Sequence, residues 1–179
     1  MAIKELYQIK SLGGTDFQDA VLHTKTSPVL SINEEIEQII QDLKDTLWAY
    51  PFCVGLSAPQ IGYSYAISVL NIDHSSFDDT LVLINPEIIE ASGKKDKKRE
   101  SCMSVWGKFG EVERRDKILL KYQNENFETM HQQFEGFMSR AIQHEVDHLN
   151  GIIYVDKLVS GKQLGEAEFF KDYCIIKSS

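Results

Sequence analysis

The hexapeptide Gln143-His144-Glu145-Val146-Asp147-His148 constrains this chain more than any other stretch. Residues four apart share a face of an α-helix, so His144 and His148 can both turn an imidazole nitrogen toward one ion if the segment is helical. Glu145, beside a ligand, is placed to work on a metal-bound water. A chance match to this spacing in a chain with five histidines has odds of roughly one in a hundred. By itself the motif fits many divalent-metal hydrolases.

A length of 179 residues with 42% hydrophobic content suits a single domain, 1–179, whose core needs no disulfide staples. The formal net charge of -8 argues against a nucleic-acid binder, since phosphate contacts require clustered lysine and arginine. The basic run at 94–99 is short, interrupted by Asp96, and reads as a solvated loop. Cys53, Cys102 and Cys174 are odd in number and widely spaced, which points to a reducing compartment rather than a secreted disulfide framework. No apolar run reaches the length of a membrane span, and residues 1–10 are polar and charged. The expected address is the cytoplasm, and an organellar protein trimmed of its leader would read the same way.

Along the chain, Ile36, Ile39, Ile40, Leu43 and Leu47 form one stripe of an amphipathic helix over about 33–48, with Ser31 and Glu34 at capping-box spacing. Residues 51–62 read as a loop rich in small residues. Strands are expected at 65–72 and 81–85, the second broken by Asn85-Pro86, then at 87–91, 117–122 and 127–134, with a polar turn at 123–126. A second helix should run over about 135–150, capped by a left-handed Gly151, with Ile152-Ile153-Tyr154 returning to the sheet. Helix, antiparallel strands and helix in that order give an α+β fold, the strands packed around the helix that carries the histidines.

A catalytic site of this kind usually takes three protein ligands and keeps one open position. In the metzincin spacing the third ligand would fall at 154, where this chain has Tyr154. In another zincin arrangement a glutamate on a following helix completes the set, and Glu166 and Glu168 lie at a suitable distance in sequence. The third candidate is Cys102, whose thiolate beside two imidazoles makes a set suited to a borderline or soft ion.

Three segments, Gly55-Leu56-Ser57-Ala58-Pro59-Gln60, Glu100-Ser101-Cys102-Met103-Ser104 and the histidine hexapeptide, stand in the order and rough spacing of the three motifs of peptide deformylases. The chain resembles that family over about 28–158. The resemblance implies Cys102, His144 and His148 as metal ligands and Glu145 as general base. Gln60 and the Met103 N–H match the positions that hold the oxyanion, and Gly55 matches the glycine beside the substrate peptide. Val54 and Gly55 would offer main-chain groups to an extended peptide. Arg114 matches a recurrent family arginine, with a role behind the ligands or at the substrate mouth. Phe137 and Ala141, seven and three residues before His144, share its helix face and suit an apolar wall for a methionine side chain.

The implied function is removal, as formate, of the formyl group from the N-terminal formylmethionine of new polypeptides. In the chemistry so implied, a metal-bound hydroxide attacks the formyl carbon, the two donors hold the oxyanion, and Glu145 returns the proton to the leaving amine. The ligand set alone suggests Zn2+. The resemblance points to Fe2+ as the native ion, with Zn2+, Ni2+ or Co2+ in its place, and to N-formylmethionyl peptides and the ribosome near its exit as partners. No membrane and no specific nucleic acid are expected. Glu100 and Asp147 are candidates to orient the ligating histidines.

The chain departs from the family pattern at Ser101 and Met103, for the usual glycine and leucine, at Cys53 for a glycine, and at Ser57 for an alanine. If residue 101 needs a positive φ, serine strains it. Cys53 adds bulk where the peptide would pass. A zincin-like metallopeptidase, which has no need of Cys102, and a deformylase-like binding protein with altered turnover are the alternatives.

Overall fold

The apolar stripe read in the first helix is the face that the helix buries. In the computed structural model, which describes residues 2–8, 17–161 and 163–166, helix α2 spans Glu34–Ala49 and Ile36, Ile39, Ile40, Leu43 and Leu47 are all buried. The helix starts at Asn33 rather than at Ser31, because the Asn33 side chain accepts the Ile36 N–H at 2.9 Å. That cap satisfies one orphan amide, worth about 1 kcal/mol. Before it lies the short α1, Phe17–Leu22. Glu168, Cys174 and the rest of 167–179 fall outside the described residues.

Five strands follow one another in antiparallel order: β1 (Gly55–Ser57), β2 (Ile67–Leu70), β3 (Leu81–Cys102), β4 (Val105–Gln123) and β5 (Thr129–Glu135). The short β6, Gly165–Glu166, pairs with β4. Side chains alternate across a strand, and the two faces of this sheet are covered by different helices. Ile67, Val69, Val82 and Ile84 pack with α2, whereas Leu70, Leu83, Ile118 and Leu120 pack with Ile142 and Val146 of α3, Gly136–Leu149. All four residues of β2 are therefore buried, the one polar member, Ser68, with its hydroxyl 2.8 Å from that of Ser57. The result is an α+β arrangement with an antiparallel sheet between α2 and α3.

Several local expectations are corrected. Residues 51–62 are not a plain loop, since they hold β1 and a 3₁₀-helix over Ala58–Ile61. Asn85-Pro86 does not end a strand. Proline lacks the N–H that a ladder needs, and the register shifts between Ile84 and Glu87 while the strand continues to Cys102. The basic run at 94–99 therefore lies on β3, its lysines exposed, with Lys95 paired to Glu113 and Lys98 to Asp96. Phe127 belongs to the turn before β5, at φ 62°. Residues after Gly151 form a 3₁₀-helix, Tyr154–Lys157, in place of a strand. Gly151 itself has φ 71°, and a Cβ there would come within 2.6 Å of the His23 carbonyl oxygen.

Asn85 makes the bulge possible. Its φ of 51° is one that asparagine tolerates better than most residues. Its side chain accepts the Val29 N–H at 2.8 Å and donates to the Val29 carbonyl at 2.7 Å and to Gln123 at 2.8 Å. Asn85→Ala should lower unfolding free energy by at least about 3 kcal/mol, near 1 kcal/mol for each of the three lost bonds, with backbone strain added to that. Urea unfolding followed by circular dichroism checks this, and a loss under about 1 kcal/mol would show that the bulge stands without it.

Candidate metal centre

Helix α3 places His144 and His148 one turn apart, their ring centroids 4.9 Å apart and their planes at 73°. The tip of the β3–β4 hairpin brings Cys102 to them across the fold. Its Sγ lies 3.1 Å from His148 Nε2, and the ligand atoms of Cys102, His144 and His148 all fall within 4.8 Å of one another. These three are the described residues that could hold an ion together. A thiol and two imidazoles converging at this distance, largely shielded from water, fit a single borderline divalent cation. Glu166, the alternative third ligand, is exposed on β6 and ion-paired with Lys108.

Behind the ligands sits Glu100, 7% exposed. It accepts from Arg114 Nε at 2.6 Å and Nη2 at 2.8 Å, from Arg140 Nη1 at 2.5 Å, and meets His144 Nδ1 at 3.1 Å. Donation from Nδ1 fixes the tautomer that leaves His144 Nε2 to face the other ligands. Burial opposes the charge on Glu100, yet His144 and Arg114 hold its carboxyl far below the usual range. Burial also opposes the imidazolium at His144, but bonds to Cys102 and Glu100 raise its pKa well above 6.5. At His148 burial and the neighbouring His144 lower it well below that value. Arg114 reaches on to Asp147 at 2.7 Å, and Asp147 to Lys157. Arg114 is thus buried behind the ligands and does not line the cavity, which corrects its reading as a substrate-mouth residue.

Glu145 is held in a different way. Ser57 Oγ donates to its Oε2 at 2.6 Å and lies 2.8 Å from Ser68 Oγ on the neighbouring strand. Its other oxygen rests over Gly55, where an added Cβ would approach to 2.5 Å. Only glycine leaves the carboxylate room. Burial raises the Glu145 pKa, with His144 and the Ser57 hydroxyl acting against the rise.

The cavity in front of these groups, about 210 Å³, is lined among others by Gly55, Gln60, Met103, Phe137 and Ala141. Phe137 is half exposed at its mouth and is not a core residue. Gln60 is 1% exposed: its Oε1 accepts the Ser57 N–H at 2.8 Å, which turns Nε2 toward Cys102 Sγ at 3.5 Å and Ser104 Oγ at 3.2 Å. The Val54 carbonyl points toward the β2 side rather than the outer edge, where the Asn71 N–H donates to it at 2.9 Å. Since bonded pairs alternate along an antiparallel ladder, the N–H and C=O of Gly55 point away from β2, along the outer edge of β1. Cys53 is buried and its thiol donates to the Gly55 carbonyl at 3.0 Å, while burial and the nearby Glu145 charge raise its pKa well above 9. His74, at φ 45° and stacked on Trp48, holds the Cys53 carbonyl at 2.7 Å. Ser101 is not among the positive-φ residues, so serine there carries no left-handed strain.

Sequence reasoning missed Ser57 and Arg140 as supports of the site. Arg140 could have been found, since it stands four residues before His144 on the same helix face. Ser57 gave only a departure from a motif, and its bond to Glu145 spans 88 residues.

Comparison with known proteins shows which family the chain resembles. The family profile for polypeptide deformylase matches residues 15–164. A peptide deformylase of Halothermothrix orenii is 41% identical over 152 residues, 85% of this chain and 93% of that protein. A crystal structure of a peptide deformylase from Legionella pneumophila superposes with a TM-score of 0.79 at 31% identity, over 89% of this chain and 88% of that one. One from Synechococcus elongatus in complex with actinonin gives 0.77 at 30% identity, over 88% and 80%.

Glu100→Gln keeps the shape of the side chain behind His144 and removes the charge shared by two buried arginines. It should weaken metal affinity by about 10- to 100-fold in competition with a chelator. An unchanged affinity would show that the carboxylate does not position His144.

Proposed function

The chain belongs to the polypeptide deformylase family and removes the N-formyl group from nascent peptides, and we propose that it does so with Cys102, His144 and His148 holding one divalent ion and Glu145 moving the proton. The observation that carries this assignment of residues is the Glu145 carboxylate, tied by one oxygen to Ser57 with the other over Gly55, in a residue that lines the same cavity as Cys102 and His144. When bound, the ion supplies Lewis acidity and brings the pKa of a water from about 15.7 to about 7.

Glu145 takes the proton of the attacking water and returns it to the amine nitrogen as the carbon–nitrogen bond breaks and formate departs. The Gln60 Nε2 donor and the Met103 N–H receive the charge that develops on the formyl oxygen, an effect on the order of 3 kcal/mol for one donor. The outer edge of β1 at Gly55 takes the substrate backbone as an added strand. Phe137 and Ala141 form the wall for the methionine side chain of an N-formylmethionyl peptide.

We assign Fe2+ as the native ion, with Zn2+, Ni2+ or Co2+ as substitutes, on the thiolate and two imidazoles and on the family resemblance. The whole chain, 1–179, is taken as one domain around α3 as the central metal-binding helix. No helix among the described residues is long and apolar enough to cross a membrane. The cytoplasm is the proposed site of action, in keeping with the free thiols of Cys53 and Cys102. The ribosome is the proposed source of substrate, with the exposed lysines of β3 as the basic surface nearest that role.

Two substitutions separate the roles. Glu145→Ala should lower formate release from a formyl-Met tripeptide by at least about 10³-fold in the Fe2+ or Ni2+ form while metal content stays at one ion. Cys102→Ala should lose the ion itself. Full activity in the first variant, or full metal in the second, would sink these assignments.

A further inference from the structure

Residues 2–8 run from α2 to the two pieces of chain that carry the proposed oxyanion donors. It is fastened to α2 first: the Ala2 N–H donates to Asp45 at 2.9 Å, the Lys4 N–H to Thr46 at 3.0 Å, and the Lys4 side chain pairs with buried Asp42 at 3.1 Å. Leu6 is buried in the core beneath α2. The next two residues then diverge. The Tyr7 N–H donates to the Gln60 carbonyl at 2.7 Å, and Gln8 Nε2 donates to the Met103 carbonyl at 2.6 Å.

The second contact falls where the hairpin has least support. Cys102 pairs with Val105, and the register shifts between Ser101 and Cys102, so Met103 and Ser104 form the connection beyond the last ladder pair. The peptide plane joining them is held at both ends. Its carbonyl oxygen takes the Gln8 amide, and its N–H donates to Cys102 Sγ at 3.4 Å. With that plane fixed, only the two dihedrals of Met103, a residue that lines the cavity, separate it from the Met103 N–H.

We propose that Gln8 is a positioning residue for deformylation, which acts through Met103 by clamping the hairpin tip so that the Met103 N–H meets the developing oxyanion. This rests on the reading of Gln60 and Met103 as oxyanion donors. The clamp touches neither substrate nor ion, and its effect is on alignment. Misplacement of a reacting group by about 1 Å costs up to about 100-fold, and a flexible donor loses part of that.

Gln8→Ala should lower kcat on the order of tenfold, with KM and metal content unchanged. Gln8→Glu keeps the length of the side chain but cannot donate to a carbonyl, and should fall at least as far. Gln60→Ala in the same assay serves as the control on the donor reading. If Gln60→Ala loses activity while both Gln8 variants keep kcat within twofold, the positioning role is overturned and the donor reading stands. If the Gln8 variants lose metal, or raise KM with kcat intact, the residue supports the fold or substrate binding and the proposal also falls. If Gln60→Ala leaves kcat unchanged, the donor reading fails, and the inference goes with it.

Discussion

The buried Glu100 carboxylate is the contact on which the rest of the site depends. It lies on β3, accepts from Arg114 on β4 and Arg140 on α3, and orients His144, so one side chain joins three elements and a ligand. Burial of an unpaired carboxylate costs several kcal/mol, and removing one partner from such a cluster leaves the others uncompensated. The arginines are as constrained as the acid, since each is almost fully enclosed. Arg114 extends the chain of charges to Asp147, the residue just before His148, so both histidines lie on a helix anchored by the same network. The strand that carries Cys102 and the helix that carries its partners cannot shift independently without breaking it.

Two glutamates within one site thus have opposite environments. Glu100 is surrounded by cationic donors that keep it ionised. Glu145 is buried with a single hydroxyl on one oxygen, and its pKa is raised. The first suits a fixed charge, the second a group that must gain and lose a proton. Their separation follows from topology: Glu100 of β3 meets Arg114 of β4 and Arg140 of α3, while Glu145 meets Ser57 of β1, backed by Ser68 of β2, and the bare backbone of Gly55.

What the sequence disclosed depended on how far apart the interacting residues are. Helix α3 was legible to within a residue at each end, and the α2 stripe in full, because helical periodicity is a local signal. Strand β3 was read as pieces, since its outer half is polar and Pro86 looks like a stop; the bulge that carries it past proline relies on Asn85 reaching Val29, 56 residues away. The segments holding Cys102, Glu145 and Gln60 were recognised through a resemblance, which transfers identities but not the contacts that support them. Arg114 was left between two roles for that reason. Its partners lie 14 and 33 residues distant, and no local pattern shows whether it faces the cavity or the network behind it.

The departures from the family pattern take on physical meaning only in the folded chain. Ser101 causes no strain because its backbone stays out of the left-handed region. Ser57 adds a hydroxyl where an alanine would leave the Glu145 oxygen without that donor, which restrains the rise that burial imposes on its pKa. Cys53 tucks its thiol against the Gly55 carbonyl, and with its pKa raised the group stays neutral and donating. That bond occupies one lone pair on the carbonyl which the β1 edge presents outward, and a carbonyl oxygen has two. A substrate amide can therefore still add to the edge. The thiol then acts as part of the cavity wall, close enough to Glu145 and Cys102 for their charges to hold its proton on.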